Sequence, residues 1–322
     1  MRAALLVLVA CSKPGVPVPA VHVDERVETL AILQRLAHGH EYAQAVTNPY
    51  LRDVDQHFAG AESDQAVLTT KRLRDHGLRF EQPMELAIRL DAPVAPNERW
   101  SEVDLGLYVA QIRDFQKEHD VAGFLRAHAT YLQRVEAAFA TKLAANNPLP
   151  YFRDLLGPSD VTFTVVPALL QGPQSYGVHT DRAFYQLIGL DPVDADGIPT
   201  TIDDALIVHE MAHSFVNPAV AAAAGELEPI AAPLFELVRA EMGQQNYGAV
   251  RIFLDESIVR AITVHYVRLA RGDAAAARAI HDEEAHGFRW TAPLEAALAP
   301  GTHAMVERLP ALGRALSTSR SR

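Results

Sequence analysis

The pentapeptide His209-Glu210-Met211-Ala212-His213 constrains this chain more than any other feature, because its chemistry requires a helix. Histidines four residues apart on a helix lie one turn apart on one face, so both imidazoles can reach a single ion. Glu210 sits about 100° round from His209, close enough to take a proton from water at that ion without being a ligand itself. The flanking sequence agrees. Thr201 can cap the helix, Asp203 and Asp204 suit its positive end, Leu206-Ile207-Val208 lead into the motif, and Asn217-Pro218 is the expected stop.

A catalytic zinc site needs a third protein ligand and an open position. Glu256 is the better candidate. It stands in Phe253-Leu254-Asp255-Glu256-Ser257-Ile258-Val259-Arg260-Ala261, a strongly apolar helical stretch where an acid has to be paired or coordinated. Arg260, one turn on, can orient its carboxylate, although the two also suit an ordinary intrahelical ion pair. Hydrolysis of an amide further calls for a donor to the oxyanion. Tyr176 and His179 stand in the Gly-rich connection between two strand-like segments, where a loop can overhang a cleft. Asn217 shares the helix face of Glu210 and could brace it; ending the helix before Pro218 explains it equally well.

The rest of the chain supplies the frame. Residues 22–145 read mainly as helix, with patterns at 25–37, 64–76, 103–117 and 119–145, the last stopped by Asn146-Asn147-Pro148. Gly77 and the stretch Ala92-Pro93-Val94-Ala95-Pro96 punctuate the earlier part. The period then changes: Val161 to Pro167 and Ala183 to Gly189 are strand-like. Helices follow at 226–243 and 247–271, with a short one near 303–316. The expected class is α+β, mostly helical, with a small mixed or antiparallel sheet beside an active-site helix. Three regions are expected: 1–20 as signal and tether, 21–150 as a helical N-terminal region, and 151–322 as the catalytic region.

No apolar run is long enough to span a bilayer. The start is distinctive, however: Met1-Arg2, apolar residues to Val9, then Leu8-Val9-Ala10-Cys11, which resembles the lipobox of bacterial lipoproteins. Cys11 is the single cysteine, so it forms no intramolecular disulfide, and lipidation there would anchor the chain in the bacterial cell envelope. Residues 12–20 would be an extended, Pro-rich tether. A formal charge of −11 argues against a nucleic-acid partner.

A helix carrying HExxH after two strands resembles the zincins, and among them the Glu-zincins. The resemblance implies an edge strand that holds substrate in extended form. In the common form of that group the third ligand lies about 20 residues after the second histidine. This chain has Ala231 and Ala232 there, and Glu236 is the nearest acid, so Glu236 stays open as an alternative to Glu256. A closer resemblance is to a bacterial family catalogued as a domain of unknown function, with a metallopeptidase site predicted from sequence. It rests on His209 to Pro218 (HEMAHSFVNP), on Glu256 to Ala261 and on Val165 to Gly177. Upstream it includes Glu41-Tyr42 and Pro83 to Ala87, so it covers roughly residues 25–270. The expectation is a Zn2+-dependent hydrolase acting on a peptide or protein, with His209, His213 and Glu256 as ligands, Glu210 as base, and Tyr176 and His179 as helpers. The competing expectation is a membrane-anchored binding lipoprotein on the same scaffold, with structural zinc or lost activity.

Overall fold

Asp24 accepts the Arg26 backbone N–H at 2.9 Å and starts a helix in which Val27, Leu30, Ile32 and Leu33 are all fully buried. Apolar burial around so much of the cylinder makes this a core helix, not a surface one. A computed structural model describes residues 17–43, 48–79, 81–91, 105–158, 160–180, 183–298 and 301–319. Cys11 with its signal-like segment, and the Ala92 to Pro96 stretch, lie outside the described residues.

In chain order the elements are β1 (Ala20–Val21), α1 (Glu25–Leu36), α2 (Pro49–His57), α3 (Gln65–Asp75), α4 (Glu81–Arg89), α5 (Leu105–Glu118), α6 (Val121–Ala127), α7 (Ala129–Ala145) and α8 (Leu149–Leu156). The strands β2 (Thr162–Ala168), β3 (Ser175–His179) and β4 (Ala183–Gly189) follow. Then come α9 (Asp204–Ala222), α10 (Ala224–Leu237), α11 (Arg239–Gln244), α12 (Val250–Arg271), α13 (Asp273–Ala285), α14 (Thr291–Ala297) and α15 (Met305–Thr318). The protein is α+β, mostly helical, with one mixed four-stranded sheet in the order β1-β2-β4-β3. β1, β2 and β4 run parallel, and β3 pairs antiparallel with β4 at the edge, Gly177 opposite Gln186.

Several expectations are corrected. Ala20, the last residue of the expected 12–20 tether, is in a strand: it and Val21 pair with Thr164 and Val165, and Asn147 donates to the Pro17 carbonyl at 3.1 Å. The connection that holds Tyr176 and His179 is a strand, not a loop. Pro218 lies inside α9 and does not end it, because buried Val216, Ala219 and Val220 carry the helix on against the core despite one missing N–H. The cap of α9 is Asp203, which accepts the Ala205 N–H at 3.0 Å, and not Thr201. The expected helix at 119–145 breaks at His128, whose ring and backbone nitrogens both bond the Phe124 carbonyl.

The core is continuous from α1 through the sheet to α9 and α12. Polar contacts cross the position near 150 where a regional boundary was expected. Glu28 of α1 accepts the Leu169 N–H at 3.1 Å and the Tyr50 hydroxyl at 2.9 Å. Tyr151 of α8 donates to the Ile262 carbonyl of α12 at 2.7 Å. No helix among the described residues is long and apolar enough to cross a membrane.

Candidate metal centre

The face of α9 that carries Val208, Met211 and Ala212 is buried, which fixes the helix's rotation and turns His209 and His213 toward α12. Glu256 meets them there. His209 Nε2 lies 3.6 Å from Glu256 Oε2, and His213 Nε2 lies 3.4 Å from Glu256 Oε1. One ligand atom from each of the three falls within 4.8 Å of the others. Glu256 is only 8% exposed, yet its Oε2 accepts no hydrogen bond; Arg260 Nη2, 3.4 Å away, supplies charge alone. A buried carboxylate oxygen left without a donor is costly unless a cation meets it. His209, His213 and Glu256 therefore form a group that could hold a metal ion. Glu236 does not take part: it lies exposed on α10, paired with Arg239.

The protonation of these groups suits ligation. Burial, then the neighbouring His213 and Arg260, push the His209 pKa well below its usual value, so the ring is neutral with a lone pair to give. His213 Nδ1 donates to Asn217 Oδ1 at 3.1 Å, which leaves Nε2 as the acceptor nitrogen aimed at the cluster. Asn217 thus braces a histidine, not Glu210. Burial raises the Glu210 carboxyl to about 7; the attraction of His213 and a bond from the Gly177 N–H oppose the shift, and Glu256 adds to it.

β3 lies against α9 through Gly177. A β-carbon on Gly177 would sit 2.6 Å from the Glu210 carbonyl oxygen, so only glycine lets strand and helix meet this closely. Strand alternation then decides where its neighbours point. Tyr176 faces away from α9; its hydroxyl is buried without a partner, and burial together with Glu41 and Glu81 raises its pKa. His179 is exposed, its ring 6.0 Å from that of Phe184, and its carbonyl accepts from Arg89 at 3.1 Å. Neither residue is among those that line the cleft beside the cluster. Of the backbone groups on this edge strand, the His179 carbonyl is already bonded within the protein, to Arg89.

A cleft of about 610 Å³ opens beside His209 and Glu210, and Tyr247 and Arg260 line it. Arg260 is fixed from three sides. Nη1 donates to Glu283 at 2.6 Å, Nη2 donates to the Tyr247 hydroxyl at 3.4 Å, and the guanidinium lies 4.1 Å from the centre of the Phe288 ring. Burial, followed by Glu256, raises the Tyr247 hydroxyl to about 12, so it stays a proton donor. Sequence reasoning missed Tyr247 and Glu283. Neither stands at a ligand or helical spacing from HExxH: Glu283 comes to the cleft on α13, and Tyr247 from the connection between α11 and α12.

A buried two-histidine, one-glutamate cluster beside an open cleft, on a mostly helical α+β frame, defines a protein with a candidate metal centre. The chain belongs to the family described as a domain of unknown function (DUF4932), whose model matches residues 97–299 and so includes every member of the cluster. No curated protein and no solved structure matches it.

Proposed function

We propose that this protein is a zinc-dependent hydrolase acting on peptides, with His209, His213 and Glu256 as the metal ligands and Glu210 as general base. The observation that carries the reading is the orphaned Glu256 oxygen, buried where His209 and His213 converge on the same carboxylate. Two imidazoles and one carboxylate are a donor set that suits zinc and, being three, leave a position open. Zinc held there supplies Lewis acidity, which makes water nucleophilic near neutral pH and polarises a carbonyl.

The chain's own residues do the rest. Glu210, one residue from a ligand and lining the cleft, takes the water proton and passes it to the leaving amine. Tyr247 and Arg260 provide the donors for negative charge that develops on the carbonyl oxygen, the role first sought in Tyr176 and His179. Asn217 keeps His213 in the ligating tautomer. If Cys11 carries a lipid, this cleft works at a membrane surface in the bacterial envelope.

The binding-protein alternative has less support, because a structural zinc site closes its fourth position with protein, and here the cluster of three borders a cleft. The test is bound zinc and cleavage of a peptide library by wild type and Glu210→Gln. Zinc retained in both, with hydrolysis lost only in the variant, is expected. Equal hydrolysis by the variant would exclude the mechanism, and absence of zinc binding would exclude the class.

A further inference from the structure

The geometry points to Arg278 as the residue that reads a carboxylate on the substrate. This rests on the hydrolase reading above and names the class of peptide it acts on. The cleft runs from His209 and Glu210 along a wall made by α12 and α13. Thr263, Val264, Val267, Ala275 and Ala279 give that wall small, mostly apolar side chains.

Three arginines also line it, and two are already neutralised. Arg260 is held by Glu283 at 2.6 Å; Arg271 donates to Asp203 at 2.7 Å and to Asp204 at 2.8 Å. Arg278 makes no ion pair or side-chain hydrogen bond among the described residues, even with Asp282, one turn on along the same wall. An unpaired guanidinium beside an apolar lining is a planar fork of donors, which matches a carboxylate in bidentate fashion.

Its position sets which carboxylate it reads. Glu283 marks the end of α13 next to the cluster, since its partner Arg260 is 3.4 Å from Glu256. Arg278 lies five residues earlier, ~7.5 Å along the helix axis. An extended peptide advances roughly 3.3 Å per residue, so a carboxylate two residues from the bond that is cut comes level with Arg278, and we place it on the C-terminal side. Either a free C-terminus or an acidic side chain supplies it there.

The experiment uses the full zinc-loaded chain and three probes: benzoyl-Gly-Ala-Ala as the free acid, the same peptide as the C-terminal amide, and benzoyl-Gly-Ala-Glu amide. Calorimetry in a Glu210→Gln background keeps the probes intact, and hydrolysis is followed separately in the parent chain. One or both acids should bind about 10-fold tighter than the neutral amide, a preference that Arg278→Gln abolishes without changing affinity for the amide. Whichever acid gains identifies the source of the carboxylate. Equal affinities for all three probes, or a preference that survives Arg278→Gln, would overturn the assignment. A preference lost in Arg278→Gln with no hydrolysis in the parent chain would uphold the carboxylate site and sink the hydrolase reading alone.

Discussion

Gly177 and Glu210 meet backbone to backbone: the position of a β-carbon on the glycine is 2.6 Å from the glutamate's carbonyl oxygen. The strand that borders the candidate site is therefore held against the motif helix by the absence of a side chain. Gly177→Ala cannot be relieved by a rotamer change, since the obstacle is backbone. We expect a loss of about 1–3 kcal/mol in urea unfolding, as for other overpacked sites. Activity should fall as well, because Gly177 packs directly on the turn of α9 that carries Glu210 and His213. A variant with parental stability would contradict this packing.

Glu256→Gln separates metal binding from folding. The change removes a buried charge whose Oε2 has no hydrogen-bond donor, while Arg260 keeps its pair with Glu283, so the metal-free variant should stay close to the parent in stability. Zinc affinity should fall by about 100-fold or more, because a neutral amide replaces an anionic ligand. Metal-free melting curves and a competition titration with a chromophoric chelator read the two effects independently. A variant that loses stability and keeps zinc would show that the carboxylate is structural.

Asn217 acts through His213. Its Oδ1 accepts the Nδ1 proton at 3.1 Å, so Asn217→Ala should leave the fold intact and lower zinc affinity about 10- to 100-fold. Asn217→Asp keeps an acceptor and should restore most of that affinity. Indifference of zinc binding to both changes would leave Asn217 with a role in the helix alone.

Glu28 gives the protein a pH-dependent stability remote from the metal centre. It is fully buried between α1, Tyr50 and Leu169, and burial raises its carboxyl from 4.5 to about 7. The folded state thus keeps a proton that the unfolded chain releases above about 4.5. This contribution is complete below that pH and is lost as pH rises through 7, a span worth roughly 3 kcal/mol. Glu28→Gln retains an acceptor for the Leu169 N–H and offers a donor to Tyr50, so it removes the titration without emptying the site. Urea midpoints at pH 5 and pH 8 should converge in the variant relative to the parent; parallel pH profiles would refute the assignment.

What could be read without coordinates was the part whose physics is local. HExxH implies a helix because only a 3.6-residue period puts both histidines on one face, and Glu256 stood out as an acid inside an apolar helix. The mostly helical α+β class followed from the change of period near residue 161. What needed the tertiary structure was everything decided by contacts distant in sequence. Tyr176 and His179 share a strand with Gly177, and which of them could meet α9 depended on the sheet's packing, which gave that place to the glycine. Glu283 reaches the cleft because α13 packs against α12, and Tyr247 because the connection before α12 folds back toward Arg260 and Phe288. Ala20 looks like the end of a tether until β2 offers it and Val21 an edge. A sequence specifies periods and caps one segment at a time; it names the face that must be buried, while the partner that buries it is chosen only when the whole chain packs.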